Sequence, residues 1–524
     1  MATPTSSEAG FNPTRQLTWT RLLRSDFAFL VSLGLVKVAV HFLCNLHDGY
    51  FRDEYYYIAC SNHLDWGYVD HPPLSILLLR IARFAFGDSV FAIRLLAVLA
   101  GAIAVALTAL VASAMGGSRF AQAFAALTVI IAPVFLAMDS FYSMNALDQV
   151  FWAGAVYLFV LILKTGNGKL WLLFGLVAGL GMQNKIGVLF LGFGIAVGLL
   201  LTSSRRQFLR KEIWIGGALA VLISLPYILW QIPNDFATLD FMHNATTYKN
   251  LPRSPLQFLL DVTIQVHPLN LPICLMGLGF LFFHPEGKRY RPVAWAFLAV
   301  MAVLAGNNGK AYYLAPAMPM LLAPGAIFVE KLTARPSFRW VRFSVVGLLI
   351  LAGLAVAPLA LPIVPAEKCV AYQKALGLQP PQEERGSAGE IPQHLSDRFG
   401  WVELVEAVTR AYRGLDAEER KQCAIFADNY GEAGAIEFHG NSLGLPPVIC
   451  AHNNYFLWGF GGATGEVMIC VGFDPDELEP AFEEVELAEV HKHPYARERE
   501  VPIHVCRKPK GSLAEWWPKL KHFI

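Results

Sequence analysis

The sequence predicts a polytopic α-helical membrane protein with a soluble α/β domain at its C-terminal end. Three observations lead to this prediction. Of the 524 residues, 55% are hydrophobic and only 16% are charged, whereas a soluble chain carries about 25% charged residues. Several apolar runs reach about 18 residues, which is long enough to span a bilayer. After residue 365 the composition becomes that of a soluble domain, with short apolar runs between polar turns.

Apolar segments place about eleven transmembrane helices between residues 27 and 364. The segments are 27–45, 89–114, 120–137, 145–163, 169–183, 186–201, 213–231, 268–283, 291–306, 313–331 and 341–364. Segments 169–183 and 186–201 are short and separated only by QNK, so they form either a tight pair or one broken helix. The first apolar run is too long for a cleaved signal and lacks a small-residue cleavage site. We therefore expect this run to be a retained first helix, preceded by a cytoplasmic N-terminal segment of residues 1–26.

The loops between these segments alternate in Lys and Arg content. The basic loops lie around residues 15–24, 119, 164–169, 205–211, 288–291 and 331–342. By the positive-inside rule these loops are cytoplasmic. The opening loop 46–88 and the domain 365–524 then lie on the outer face. Within that loop, residues 74–87 are too short to span, and they form either a helix lying in the membrane interface or the first turns of the next span.

The region after residue 365 is predicted to form strands and helices joined by turns. A polar loop covers residues 380–390, and a strand at Cys423–Ala427 precedes a helix that starts near Gly431. LPPVICAHNNYFLWG and EVMICVGF are interpreted as further strands. The GEAGA sequence could bind an anion at a helix N-terminus, although a plain helix start is the favoured interpretation. Five of the eight cysteines lie here, and their spacing fixes no disulfide pairing.

The opening loop carries an unusual concentration of acids and histidines. Its sequence is DGYFRDEYYYIACSNHLDWGYVDHPPL, residues 48–74. Asp53 is flanked by Arg52 and Glu54, and three tyrosines follow. Asp70 and His71 precede a Pro-Pro-Leu. A solvent-exposed surface loop is one explanation for this concentration. The other is an active site at the membrane surface, and for Asp53 we favour the active site.

Further ionisable residues lie near the outer ends of the predicted spans. They are Asp148, Lys185, His267 and Lys310. An ionisable group at membrane depth costs a few kcal/mol or more and usually lines a cavity. Each also has a structural explanation: a helix N-terminus for Asp148, snorkelling for Lys185, a hydrogen-bonding role for His267 and an interfacial anchor for Lys310. Their convergence with the opening loop at one membrane level predicts a site.

The motifs RDEYYY and GYVDHPPL resemble the membrane glycosyltransferases of family 39, which use polyprenyl-phosphate sugars. The chain is most similar to the bacterial branch related to the protein O-mannosyltransferases and the lipid A aminoarabinose transferase. Further matching motifs are Leu147–Gln149, Asn184-Lys185, HPLNLP at 267–272, GKAYYLAPAMP at 309–319, DNYGEAGAIEF and HNNYFLWG. The resemblance implies a GT-C glycosyltransferase fold in a bacterial inner membrane, with residues 27–364 as the transferase domain and 365–524 in the periplasm.

The resemblance also implies roles for the candidate residues. Asp53 is expected to be the catalytic base, with Glu54 and Asp70 orienting the acceptor or the sugar. The substrate-binding candidates are Arg52, His71, Asp148, Lys185, His267, Lys310, Tyr312 and Tyr313. The expected partners are a polyprenyl-phosphate sugar, membrane lipids and a lipid, glycan or protein acceptor. The net charge of +1 gives no reason to expect nucleic acid.

One departure from the family pattern bears on phosphate binding. The aminoarabinose transferases have Glu-Lys before Pro-Pro, where this chain has Asp70-His71. A neutral histidine cannot supply a permanent charge, so phosphate contact is expected from Lys310, Lys185 or Arg52. No cofactor is certain. A divalent metal on Asp70, His71 and His267 stays open, because no ligand spacing demands it.

The expected chemistry accounts for these residue types. The lipid tail of the donor lies in the bilayer while its sugar reaches water, so transfer takes place at the interface. The leaving phosphate is stable as an anion and needs neutralising charge rather than a general acid. A carboxylate such as Asp53 can deprotonate an acceptor hydroxyl. One base with direct displacement predicts inversion at the anomeric carbon.

Three other classes of protein share some of these features. A transporter of a lipid-linked or sugar substrate would also have many spans, but its charges would lie at the midplane between paired half-repeats. A membrane-anchored sensor would not need eleven spans. An oligosaccharyl transferase is the nearest enzymatic alternative, and it would move many sugars at once rather than one.

Overall fold

Helices form the chain up to Ala360, and every apolar segment predicted from the sequence coincides with at least one of them. The computed structural model describes residues 13–44, 49–382, 384–385 and 389–524, with side chains from residue 26 onward. Residues 1–12 of the predicted cytoplasmic segment and 46–48 of the opening loop lie outside this description. The helices are α1 Pro13–Cys44, α2 Arg52–Asn62, α3 Leu74–Phe86, α4 Val90–Ala114, α5 Arg119–Ile130, α6 Pro133–Met138, α7 Met144–Thr165, α8 Leu170–Asn184, α9 Val188–Leu200, α10 Lys211–Gln231, α11 Ala237–Asn244, α12 Pro255–Val266, α13 Asn270–Phe283, α14 Arg291–Gly306, α15 Pro319–Leu332 and α16 Arg339–Ala360.

The predicted number of spans is not confirmed. Among the described residues, five helices are long and apolar enough to cross a membrane, and three bent pairs would raise the number to eight. The segment predicted as one span at 120–137 is two helices, α5 and α6, because Pro133 cannot continue the hydrogen-bond pattern of α5. Segments 169–183 and 186–201 form separate helices that meet at Lys185. The short helix predicted at 74–87 is α3, and its position in the interface stays a prediction.

The C-terminal region combines short helices with a five-stranded sheet of order β2-β1-β3-β5-β4. Its elements are α17 Ala366–Ala375, α18 Gln393–Ser396, α19 Trp401–Gly414, α20 Ala417–Gln422, β1 Cys423–Ala427, α21 Tyr430–Gly440, β2 Val448–Cys450, α22 Asn454–Trp458, β3 Val467–Val471, α23 Pro475–Leu478, β4 Phe482–Lys492, β5 Glu500–Pro509 and α24 Leu513–Trp516. Strands β1, β2 and β3 are parallel, and β5 pairs antiparallel with β3 and β4. The five residues of β1 are all buried, as expected for an inner parallel strand. All eight cysteines are free and buried.

The strand predicted through HNNYFLWG is wrong, because Asn454–Trp458 is the helix α22. Asn453 has φ +50°, and this left-handed residue ends the extended backbone that follows β2. The Asn453 side chain accepts a hydrogen bond from the Ile524 N–H at 3.1 Å, which holds the turn. A short apolar run fits a strand or a helix equally well, so periodicity alone could not separate them.

Helix α21 packs against α2 and joins the C-terminal region to the opening loop. A Cβ at Gly434 would lie 2.9 Å from the carbonyl carbon of Tyr55, and a Cβ at Gly431 would collide with Arg52. The glycines of GEAGA therefore allow close helix packing. The Asn429 side chain accepts hydrogen bonds from the Gly431 and Glu432 N–H groups at 2.9 and 3.1 Å. These paired amides agree with the plain helix start that the sequence favours.

Replacing Gly434 with alanine should separate α21 from α2. The added methyl meets the backbone of Tyr55, which cannot move aside as a flexible side chain would. Overpacking of this kind costs about 1–3 kcal/mol, so Gly434→Ala should unfold at a lower temperature in detergent. Gly414→Ala is the control, because a Cβ at Gly414 meets nothing within 4 Å. Equal unfolding temperatures for both variants would contradict the packing argument.

Candidate active site

The first turn of α2 presents three consecutive charged side chains in three directions. Successive residues of an α-helix point about 100° apart, so Arg52, Asp53 and Glu54 face different surroundings. The turn is held at its start by two hydrogen bonds. The Arg52 N–H donates to the Asp397 carbonyl oxygen at 2.9 Å, and the Phe51 N–H donates to Glu54 Oε2 at 2.8 Å. The direction of each side chain is therefore fixed by the backbone of α2.

Glu54 points inward and pairs with Arg94 of α4. Arg94 Nε donates to Glu54 Oε1 at 3.0 Å, and Arg94 Nη2 donates to Oε2 at 2.9 Å. The Tyr142 N–H adds a further hydrogen bond to Oε1 at 2.8 Å. Both side chains are buried, with Glu54 at 0% exposure. The sequence analysis missed Arg94, although a charged residue inside the predicted span 89–114 is a signal for a buried partner.

Asp53 points toward the C-terminal region, where it meets Tyr430 of α21. The Tyr430 hydroxyl donates to Asp53 Oδ1 at 2.9 Å and accepts from Arg52 Nη2 at 3.0 Å. Burial raises the pKa of the Tyr430 hydroxyl well above its usual value, although Arg52 lowers it. The hydroxyl is thus a neutral donor to the carboxylate. The Asp53 side chain keeps 33% exposure, so the carboxylate is both oriented and accessible.

Asp70 lies on the neighbouring tyrosine of the same aromatic layer. The Tyr56 hydroxyl donates to Asp70 Oδ1 at 2.9 Å and lies 3.2 Å from Asn454 Oδ1. The ring centroids of Tyr56 and Tyr430 are 4.7 Å apart. Asp53 and Asp70 are therefore held by adjacent rings. Asn454 comes from the HNNYFLWG motif, to which the sequence analysis assigned no role.

His71 is buried beside the tyrosines of the opening loop. Its ring centroid lies 4.7 Å from that of Tyr57 and 4.9 Å from that of Tyr68. Its Nδ1 lies 3.1 Å from the Pro72 carbonyl oxygen. The Tyr57 hydroxyl also accepts from the Met144 N–H at 3.3 Å, which links the opening loop to the start of α7.

A second polar group forms where α7, α8 and the turn Ala311–Ala317 meet. Lys185 Nζ donates to Asn145 Oδ1 at 2.6 Å. It lies 4.7 Å from the ring centroid of Tyr313 and 5.7 Å from that of Tyr312, within the range of cation–π attraction. Asp148 is buried near Lys185, and its Oδ1 has no hydrogen-bond partner among the residues that the structure describes. Asp148, Lys185, Tyr312 and Tyr313 are thus brought together by the fold.

Lys310 belongs to a group of four basic side chains, Arg52, Lys249, Lys310 and Arg497, which we call the cation cluster. Lys310 Nζ lies 2.6 Å from Glu384 Oε1, and Arg497 Nη2 lies 2.7 Å from Oε2. Burial would raise the pKa of Glu384, but Lys310, Lys249, Arg497 and Arg52 hold it well below its usual range. Burial lowers the pKa of Lys249 to about 8. Sequence reasoning missed Lys249, Arg497 and Glu384, which carry no motif signal.

His267 is not brought to Asp70 and His71. It has φ +84° at the end of α12, and its Nδ1 accepts from the Leu269 N–H at 3.1 Å, which stabilises the break before α13. Among the described residues, no group of three His, Cys, Asp or Glu side chains has the arrangement of a metal site. The described residues therefore form no metal site on Asp70, His71 and His267, and the use of a divalent metal stays open.

Comparison with known proteins shows which families and structures this chain is similar to. The family model for dolichyl-phosphate-mannose-protein mannosyltransferases matches residues 70–230. The lipid A galacturonosyltransferase RgtD of Rhizobium johnstonii is 26% identical over 290 residues, which cover 54% of this chain and 61% of RgtD. The chain thus matches about three fifths of the length of this relative.

Two solved structures of ArnT from Cupriavidus metallidurans are similar over most of the chain. The structure bound to undecaprenyl phosphate has a TM-score of 0.62 at 14% identity and covers 91% of this chain and 97% of ArnT. The apo structure has a TM-score of 0.60 at 14% identity and covers 93% and 98%. The chain has an ArnT-like GT-C fold. The resemblance to the GT-C glycosyltransferases is confirmed.

The match to the mannosyltransferase family model does not cover the whole candidate site. It begins at Asp70 and includes Asp148 and Lys185. Asp53 precedes it, and Lys310 and Tyr430 follow it. The parts of the site that hold Asp53 and the cation cluster are therefore described by this structure and not by the family match.

Removing the charge of Glu54 should destabilise the fold. Glu54→Gln leaves the buried Arg94 guanidinium without its counter-ion, and breaking a buried pair in this way costs about 3–5 kcal/mol. Thermal unfolding in detergent should show a clear loss of stability, whereas Asp53→Asn should unfold close to wild type because Asp53 is partly exposed. A Glu54→Gln protein that unfolds normally but has no transferase activity would instead make Glu54 a substrate contact.

Proposed function

We propose that this protein is a membrane glycosyltransferase that moves a single sugar from a polyprenyl phosphate to a lipid, glycan or protein acceptor. The observation that carries the proposal is the accessible Asp53 carboxylate, held by Tyr430 next to the cation cluster. A base and a set of cations side by side suit a reaction that deprotonates an acceptor and releases a phosphate. The similarity to the lipid A galacturonosyltransferase RgtD and to an ArnT structure bound to undecaprenyl phosphate supports the same class of reaction.

In the proposed mechanism Asp53 accepts the proton of the acceptor hydroxyl as its oxygen attacks the anomeric carbon. The bond from that carbon to the phosphate oxygen breaks, and its electrons stay on the phosphate. Attack opposite the leaving phosphate inverts the anomeric carbon. Neighbouring cations stabilise the developing charge most strongly in a site that excludes water. Arg52 lies next to Asp53 in the chain, so base and cation are positioned by one helical turn.

The other site residues have supporting roles in this proposal. Glu54 fixes α2 through Arg94 and does not contact substrate, since its carboxylate is fully buried. Asp70, with 15% side-chain exposure, orients the sugar or the acceptor. Lys185 lies against Tyr312 and Tyr313, whose rings suit contact with the apolar face of a sugar.

The proposed location is the outer face of a bacterial inner membrane. The alternation of basic loops supports this orientation. The similarity to the galacturonosyltransferase RgtD and the position of the charges around Asp53 favour transfer over the transport of a lipid-linked sugar.

Asp53→Asn should abolish transfer while the protein stays folded. Loss of a general base lowers rates by about 10²–10⁴-fold. Purified protein in detergent is offered a panel of radiolabelled polyprenyl-phosphate sugars with native membrane extract, and label on the acceptor is counted. Asp65→Asn is the matched control, because Asp65 lies in the same loop but binds the Trp230 indole at 2.7 Å. Full activity of Asp53→Asn would refute the proposed base.

Tyr430→Phe should lower kcat and leave the KM for the donor nearly unchanged. The variant keeps the ring packing against Tyr56 but loses the hydroxyl that orients Asp53. An interaction used mainly in the transition state lowers kcat and kcat/KM together, here by roughly tenfold. Tyr412→Phe is the control, because Tyr412 is a half-buried tyrosine of α19 in the same C-terminal region. An unchanged kcat for Tyr430→Phe would show that Asp53 needs no orientation from the C-terminal region.

A further inference from the structure

Glu384 is the anion of the cation cluster in this structure. Its side chain is 7% exposed, and each carboxylate oxygen contacts one cation, Lys310 or Arg497. Gln393 Nε2 donates to Oε2 at 3.3 Å. A carboxylate and a phosphate are both oxyanions that bind basic side chains through charge-assisted hydrogen bonds. The surroundings of Glu384 are therefore also suited to a phosphate.

The cation cluster adjoins the proposed base. Asp53 Oδ1 lies 3.9 Å from Arg52 Nε, and both Arg52 and Asp53 act electrostatically on Lys249. Two further acids lie nearby: Glu498 Oε1 is 3.8 Å from Arg52 Nη1, and Asp397 acts electrostatically on Arg52 and Arg497. If a sugar lies within reach of Asp53, the phosphate on its anomeric carbon lies within reach of these cations.

Among the described residues, the backbone of Glu384 is held by an isolated bridge rather than by a strand of the sheet. Its backbone forms an isolated antiparallel bridge with Asn250, and the Arg385 N–H donates to the Lys249 carbonyl oxygen at 2.9 Å. An isolated bridge has far fewer hydrogen bonds than a strand of the sheet. A cavity of about 230 Å³ lies against Glu384 and Arg497, and one water takes up about 30 Å³ of liquid. The cavity therefore has room for a displaced glutamate side chain.

We propose that Glu384 is an internal competitor for the donor phosphate, which displaces it from the cation cluster. This proposal rests on the proposed function. The charge of the phosphate changes during transfer, and this change explains how competition by Glu384 could help the reaction. The donor phosphodiester carries one negative charge, whereas the released polyprenyl phosphate is a monoester with about −1.5 to −2 at pH 7. The cations hold the product more tightly than the donor, and the return of Glu384 favours product release.

The test measures binding of labelled undecaprenyl phosphate to the full chain in detergent. Glu384→Gln removes the competing charge and keeps the size of the side chain, so it should bind this probe about tenfold more tightly than wild type. Lys249→Met should bind it at least tenfold more weakly. Glu390→Gln is the matched control, since Glu390 lies in the same segment on an exposed pair with Arg499 at 4.0 Å, and its affinity should not change.

Two further ligands separate the headgroup from the lipid. Inorganic phosphate should compete with the labelled probe in wild type, and more effectively in Glu384→Gln. Undecaprenol, which has no phosphate, should bind wild type and Glu384→Gln equally. Tighter binding of undecaprenol by the variant would mean that the effect comes from the prenyl chain, and it would overturn the proposal.

Weaker or equal binding of undecaprenyl phosphate by a folded Glu384→Gln would also overturn it and make Glu384 a structural bridge between the cations. If Glu384→Gln fails to fold, Glu384→Asp is measured instead, because the shorter side chain withdraws the carboxylate from Lys310 and should still bind the probe more tightly than wild type. The binding shift does not require turnover. A shift without sugar transfer would refute the proposed function alone, and transfer without a shift would refute the competitor alone.

Discussion

The buried pair between Glu54 and Arg94 is the interaction on which the candidate site depends. Burying two charges is unfavourable unless the geometry is good and the remaining hydrogen bonds are made. Here a bidentate contact and two backbone N–H groups satisfy the Glu54 carboxylate. The pair fastens the first turn of α2 to α4. Once Glu54 points inward, the helical step of about 100° turns Asp53 toward a different side, where it meets Tyr430.

The C-terminal region completes this arrangement. The glycines of α21 let that helix approach α2 closely enough for Tyr430 to reach Asp53. Asn454 holds the next tyrosine of the layer, and Arg497 joins the cation cluster. The helices alone would leave Asp53 with Arg52 as its neighbour. The region after residue 365 is therefore part of the site and not only an attached domain.

Much of this could be predicted from local sequence, and the exceptions have physical reasons. The apolar segments, the strand Cys423–Ala427 and the concentration of charge in the opening loop depend on composition and periodicity. The different environments of Asp53 and Glu54 depend on Arg94, whose charge inside an apolar run was a readable signal. Tyr430 lies 377 positions from Asp53, and no local pattern reports such a contact. The number of spans is not confirmed, because helices broken at Pro133 and His267 are too short or bent to satisfy a simple length rule.

The position of His71 explains why the cations come from distant segments. The opening loop has histidine where the aminoarabinose transferases have lysine, and the ring is buried between Tyr57 and Tyr68. It presents no permanent charge to a phosphate. A leaving phosphate still requires neutralisation, and in this chain the nearest permanent charges to Asp53 belong to the cation cluster. Because Arg497 belongs to the C-terminal region, the proposed binding of phosphate depends on how that region docks.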